Sequence, residues 1–194
     1  MITSPFLGEL IGTMVLILLG NGVVANVLLS KTKGNNGGLI AITAGWGFAV
    51  TMGIFIAQKF GSPAAHLNPA VTIAMAVKDN NFSNVLPFIS AQLLGAILGA
   101  TLVWLHHLPH WGATNDQSLK LAAFSTSPAI PNAPANLISE IIGTLVLVID
   151  VIALYAEAGS GMAPLLVGVL VWSIGLSLGG TTGYAINPAR DLGP

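Results

Sequence analysis

Long apolar runs separated by short polar breaks dominate this chain. Residues 39–58, 85–105 and 163 to about 178 carry no charge, and crossing a hydrocarbon core takes roughly 20 such residues. Two further runs qualify if single acids are tolerated: 6–29, interrupted by Glu9, and 135–156, interrupted by Glu140 and Asp150. The pattern predicts five spanning helices. The breaks are SKTKGNNGG at 30–38, a Pro- and His-rich stretch at 106–134, and 157–162, all marked by turn-forming residues.

Residues 61–84 do not fit this alternation. An irregular stretch of small residues precedes about ten apolar ones, which suits a re-entrant segment better than a span. Asn68 followed by Pro69 is a helix-start signal, with Asn as N-cap and Pro at the first helical position. The expectation is extended backbone over 61–67 and a half-helix over 68–78.

Composition narrows the class. Only 7% of the 194 residues are charged, against about 25% in soluble domains, and the mean hydropathy is +0.82. The first four residues carry no Lys or Arg, so the first run is a retained span and not a secretory signal. With no cysteine there is no disulfide, thiolate metal site or Cys nucleophile, and a net charge of -1 gives no case for nucleic acid. Counting Lys59 and Lys78 on one side against Lys31, Lys33 and Lys120 on the other leaves orientation near a tie.

An internal repeat organises the chain. GELIGTMVLI at 8–17 recurs as SEIIGTLVLV at 139–148, which places Glu140 131 positions after Glu9. The triplet Asn68, Pro69, Ala70 recurs as Asn187, Pro188, Ala189, 119 positions later. Three spans lie in the first copy, so the second enters the membrane from the opposite side and the repeat is inverted. Two half-helices then approach from opposite faces with their N-termini together. By the same symmetry the second copy lacks the remainder of its half-helix and a sixth span. The expectation is therefore a partial chain, and these residues alone are expected not to form a sealed pore.

AHLNPAVT at 65–72 and GYAINPARDLGP at 183–194, supported by MAPLLVGVLV at 162–171 and FSTSP at 124–128, resemble the major intrinsic protein family, the aquaporins and glycerol facilitators. The resemblance implies an all-α, inverted-repeat membrane bundle of five full spans, one re-entrant half-helix and the start of a second. It implies one channel domain, with repeat one at 1–105, a linker at 106–134 and an incomplete repeat two at 135–194. It further implies a homotetramer in the cell membrane with a cytoplasmic N-terminus, no enzymatic activity and no cofactor or metal. Asp191, after the Arg, resembles the glycerol-conducting branch. By alignment the selectivity constriction falls on Trp46, Gly175, Tyr184 and Arg190, with Gly175 leaving it wider than in water-selective members. Tyr184 departs from the usual Phe, so Tyr184→Phe is expected to change the glycerol-to-water ratio. Ala64 departs from a usual Gly.

A pore for small neutral solutes must replace hydration without binding too tightly. Asn68 and Asn187 can supply amide donors, and carbonyls of Ala64, Ala65 and His66 and of Thr181, Thr182 and Gly183 can supply acceptors. Two helix N-termini, each carrying about half a positive charge, disfavour cations and protons. Arg190 adds a full charge at a cost of at least about 2.5 kcal/mol in a membrane, and its planar fork suits two adjacent hydroxyls. In the family, buried acids such as Glu9 and Glu140 hold the half-helix loops; a proton relay is the alternative. Asp150 has no counterpart in the first copy. His106, His107 and His110 read as an interfacial belt. The Gly8/Gly12, Gly95/Gly99 and Gly175/Gly179 pairs read as close helix contacts.

The preferred expectation is a passive channel for glycerol, water and similar solutes, among them dihydroxyacetone, urea or protonated small acids. A mainly water-conducting aquaporin, a secondary transporter and an intramembrane enzyme are the alternatives. No nucleophile–base pair or metal-ligand set supports the enzyme.

Overall fold

The computed structural model describes residues 3–157 and 161–194. The described residues form nine helices: α1 (Pro5–Leu28), α2 (Gly38–Lys59), α3 (Pro69–Lys78), α4 (Val85–His106), α5 (Leu108–Ala113), α6 (Gln117–Ala122), α7 (Ala133–Glu157), α8 (Ala163–Leu178) and α9 (Pro188–Leu192). Four of them, α1, α2, α4 and the Ala133–Leu154 part of α7, are long and apolar enough to cross a membrane. The fifth expected span, α8, has 16 residues, about 24 Å at the helical rise.

Local chemistry sets the helix starts. Pro5 opens α1 behind Ser4, whose Oγ accepts from Leu7 N at 3.1 Å. Asn68 and Asn187 cap α3 and α9 in the same way, each followed by a proline. An N-cap oxygen satisfies backbone N–H groups that have no partner within the helix, and proline at the first position forfeits no hydrogen bond.

Helix α1 packs along both α2 and α4, α2 packs on α8, and α3 touches α4, α7 and α9. The crossing of α2 and α8 joins the two repeats and depends on Gly47 and Gly168. A Cβ on Gly47 would stand 2.7 Å from Gly168 O, and one on Gly168 would stand 2.5 Å from Gly47 O. Only bare backbone permits that approach. The core between these helices is aliphatic, with Leu16, Ile17, Ile54, Val71, Leu147, Val171 and Ile174 buried together.

Two expectations change. The 106–134 stretch contains the short helices α5 and α6, and α7 starts at Ala133, two residues before the expected span. Trp111 of α5 stacks on Phe124 with centroids 5.3 Å apart, and His110 Nδ1 lies 3.0 Å from Ser30 O, so this connection is folded against the bundle. His107 is buried, with Nδ1 3.0 Å from Val103 O. Two of the imidazoles are therefore held against backbone carbonyls. The approach to α3 is also not simply extended. Ala65 and Leu67 have φ of 44° and 53°, and Tyr184 and Ile186 in the second approach both have 41°.

Candidate functional site

The two half-helices meet at their caps. Asn68 Oδ1 accepts from Ala70 N at 2.8 Å, while its Nδ2 donates across to Ile186 O at 2.9 Å. Asn187 Oδ1 accepts from Ala189 N and Arg190 N at 3.0 and 3.3 Å, and its Nδ2 donates to Leu67 O at 2.9 Å. An amide nitrogen carries two hydrogens. Each asparagine therefore caps its own helix, ties down the opposite loop, and keeps one N–H for the space between them.

Glutamates orient both loops. Glu9, wholly buried on α1, accepts from Ser62 Oγ (2.7 Å), His66 N (2.9 Å), Leu67 N (2.8 Å) and Gln92 Nε2 (2.8 Å). Glu140 on α7 accepts from Thr182 Oγ1 (2.5 Å), Ala185 N (3.1 Å) and Ile186 N (3.2 Å). The N–H and C=O of a trans peptide point to opposite sides. Drawing His66 N and Leu67 N outward to Glu9 therefore turns the Ala65 and His66 carbonyls inward. Glu140 does the same for the Tyr184 and Ala185 carbonyls. Left-handed φ at alternate residues, an unusual conformation for side chains other than Gly, Asn and Asp, is the backbone cost of that arrangement.

Between the loops runs a cavity lined by residues 65–68 and 183–187, Arg190 and Trp46. The rest of its lining is aliphatic and includes Val50, Ile54, Leu147, Val167 and Val171. Arg190 is 7% exposed. Its guanidinium lies 4.9 Å from the Trp46 ring centroid, a cation–π distance, and Nη1 donates to Phe124 O at 3.3 Å. His66 also lines the cavity, with its ring edge-on to Phe88 and Nδ1 3.2 Å from Thr72 Oγ1.

A family model described as Major intrinsic protein matches residues 2–194. The chain belongs to the major intrinsic protein family. A probable glycerol uptake facilitator protein of Thermotoga maritima is 55% identical over 193 residues, 98% of this chain and 82% of that one. A glycerol uptake facilitator protein of Streptococcus pneumoniae strain R6 is 56% identical over 193 residues, with the same coverage. Among solved structures, the aquaglyceroporin from Plasmodium falciparum superposes with a TM-score of 0.82 at 30% identity, over 97% of this chain and 77% of that one. The chain is an integral, multi-pass membrane protein with the inverted-repeat helical fold of that family.

Measured against that family fold, the residues singled out in the sequence fall in different places. Asn68, Asn187, Ala65, His66, Gly183, Tyr184, Arg190 and Trp46 line the cavity, whereas Ala64, Thr181 and Thr182 do not. The Thr181 carbonyl accepts from Ala129 N at 2.9 Å, and the Thr182 hydroxyl is spent on Glu140. The repeat offset of 119 explains the shift, because it maps 64–66 onto 183–185 and not onto 181–183. Gly175 is not an open gap either. A Cβ there would stand 2.9 Å from both Thr43 Cγ2 and Tyr184 Cζ, and one on Gly179 would stand 2.5 Å from Tyr184 Cδ1. The Gly175/Gly179 pair is thus a slot that receives the Tyr184 ring. The Tyr184 hydroxyl is buried there without a partner among the described residues. Asp150 is half-buried on α7, without a hydrogen-bond partner among them. None of the described His, Asp or Glu groups forms a metal-binding cluster. The contacts of Phe124 and Thr126 with the second half-helix had no signal in the spacing of the chain.

Proposed function

We propose that the protein is a passive channel for glycerol and similar small neutral solutes, with water also passing. The observation that carries this reading is the divided lining of the cavity. The two loops and Arg190 offer amide N–H groups, a guanidinium and carbonyls; α2, α7 and α8 offer aliphatic carbon from Val50, Ile54, Leu147, Val167 and Val171. A polyol has the same division, with hydroxyls along one edge and C–H along the other. Its hydroxyls exchange water for these groups while its carbon edge loses none, so the desolvation cost is offset without tight binding.

In this reading Trp46, Tyr184 and Arg190 form the selective constriction, and Gly175 acts by admitting the Tyr184 ring. Asn68 and Asn187 are the midpoint donors, and Ala65, His66, Tyr184 and Ala185 carry the acceptors. The facing helix N-termini and Arg190 oppose cations. The names of the relatives, which are glycerol uptake facilitators, support glycerol over a mainly water-conducting role. We further propose that the protein is a homotetramer in the cell membrane with a cytoplasmic N-terminus, and that dihydroxyacetone, urea and small protonated acids are secondary solutes.

Full-length protein in proteoliposomes tests this by light scattering. Glycerol flux should rise linearly with its gradient and ignore a pH gradient. Saturable, proton-dependent uptake would instead identify a transporter, and glycerol permeability at the level of empty vesicles would remove the reading altogether.

A further inference from the structure

Residues 124–129 run beside α9 and the loop before it as a strap. It is attached at three points: Phe124 O accepts from Arg190 Nη1 at 3.3 Å, Thr126 Oγ1 donates to Asp191 Oδ1 at 2.8 Å, and Ala129 N donates to Thr181 O at 2.9 Å. Thr126 sits directly over Gly183, where a Cβ would stand 3.0 Å from Thr126 Cγ2. The oxygen that Thr126 holds is also the one nearest Arg190. Asp191 Oδ1 lies 3.9 Å from Arg190 Nη1, with the Asp191 side chain 42% exposed.

At 3.9 Å the two charges attract but share no hydrogen bond, since N–H···O bonds need about 2.7–3.2 Å. A carboxylate one ångström closer would form a charge-assisted bond with the guanidinium, stronger than any neutral one. It would then take an N–H that the cavity otherwise receives.

We propose that Thr126 is a positioning residue for solute selection: its hydroxyl engages Asp191 Oδ1 and keeps that carboxylate from closing on Arg190, so the guanidinium donors stay directed at the solute. The proposal rests on reading Arg190 as a solute-selecting group. It differs from a plain latch, in which either partner's removal would loosen the strap equally.

The test measures glycerol and water permeability of full-length variants in proteoliposomes, with melting temperature as a folding control. Thr126→Val keeps the side-chain shape and removes the hydroxyl, and should lower the glycerol-to-water ratio at least about threefold. Thr126→Ser should restore it. Asp191→Asn leaves no carboxylate to close, so alone it should keep the ratio near that of the parent protein, and added to Thr126→Val it should bring the ratio back. A parental ratio in Thr126→Val overturns the proposal, as does a Thr126→Val/Asp191→Asn pair no better than Thr126→Val. Should Thr126→Val melt early, a low ratio in Asp191→Asn alone overturns it independently. If Arg190→Ala leaves the ratio unchanged, the reading of Arg190 fails and takes the proposal with it. A changed ratio in Arg190→Ala with a parental one in Thr126→Val sinks the Thr126 role alone.

Discussion

Replacing Glu9 with glutamine exposes how much of the pore depends on one carboxylate. Its two oxygens accept four hydrogen bonds, from Ser62 Oγ, His66 N, Leu67 N and Gln92 Nε2. A glutamine has one oxygen and one amino group. Whichever way it turns, either His66 N or Leu67 N faces an N–H. Leaving a buried donor unmet costs about 1–3 kcal/mol, and each remaining bond loses roughly 1 kcal/mol of charge assistance. The total is about 5 kcal/mol, which for a chain of this size is roughly 10–20 °C in melting temperature. Glycerol flux should fall with it, because the Ala65 and His66 carbonyls point inward only while the N–H groups behind them are held. The assay is thermal unfolding of full-length protein in detergent, paired with glycerol permeability of vesicles. Glu140→Gln should shift melting less, since Glu140 is half-buried and accepts three bonds, so water can replace what is lost. A Glu9→Gln protein that melts within 2 °C or so of the parent and conducts normally would refute the reasoning.

Tyr184→Phe should, contrary to the expectation from the sequence, leave the glycerol-to-water ratio unchanged, because the hydroxyl is buried in the Gly175/Gly179 slot without a partner among the described residues. Melting should rise or hold, as removing an unmet buried polar group recovers up to about 1–3 kcal/mol; a changed ratio would show that the hydroxyl meets the solute after all. Gly175→Ala places a Cβ 2.9 Å from Thr43 Cγ2 and Tyr184 Cζ, and overpacking of about 1–3 kcal/mol should push the ring into the cavity and slow glycerol more than water. Thr43→Ser, which removes that Cγ2, should partly relieve it; no relief would place the clash elsewhere. Burial pushes the His107 imidazole below its ordinary 6.5, against the opposing Val103 carbonyl. The unfolded chain therefore takes up the proton first, so stability holds above about pH 6.5 and declines as the pH falls below it. His107→Gln should flatten that decline in a melting-versus-pH series, and an unchanged slope would assign it to other groups.

Local signals carried much of the fold and the centre of the site. Apolar run length placed the long helices to within about two residues, because a hydrocarbon core imposes length directly. The Asn-Pro-Ala triplets were legible because capping is a contact between near neighbours in sequence, and the repeat offset then paired Glu9 with Glu140. What the sequence could not show depends on contacts between distant residues. The short helices at 108–122 are held by packing of Trp111 on Phe124 and His110 on Ser30. The slot at Gly175 is filled by a side chain nine positions away on another element, so a glycine that reads as open space is occupied. Which carbonyls face the cavity depends on which N–H groups the glutamates take, and those contacts join residues more than 40 positions apart. The Phe124 and Thr126 attachments join residues 66 and 65 positions apart.

The reciprocal bonds from Asn68 to Ile186 and from Asn187 to Leu67 also have a mechanical meaning. They rivet one half of the molecule to the other at the midpoint of the route, each half supplying both a bolt and a plate. A carrier that rocks must part its halves there once per cycle, shearing both rivets together and sliding α2 past α8 where Gly47 and Gly168 leave no clearance. A fixed sieve parts nothing. Its throughput is then limited by how fast solutes shed and regain water, not by any stroke of the protein, and cooling should slow it only as steeply as that exchange demands.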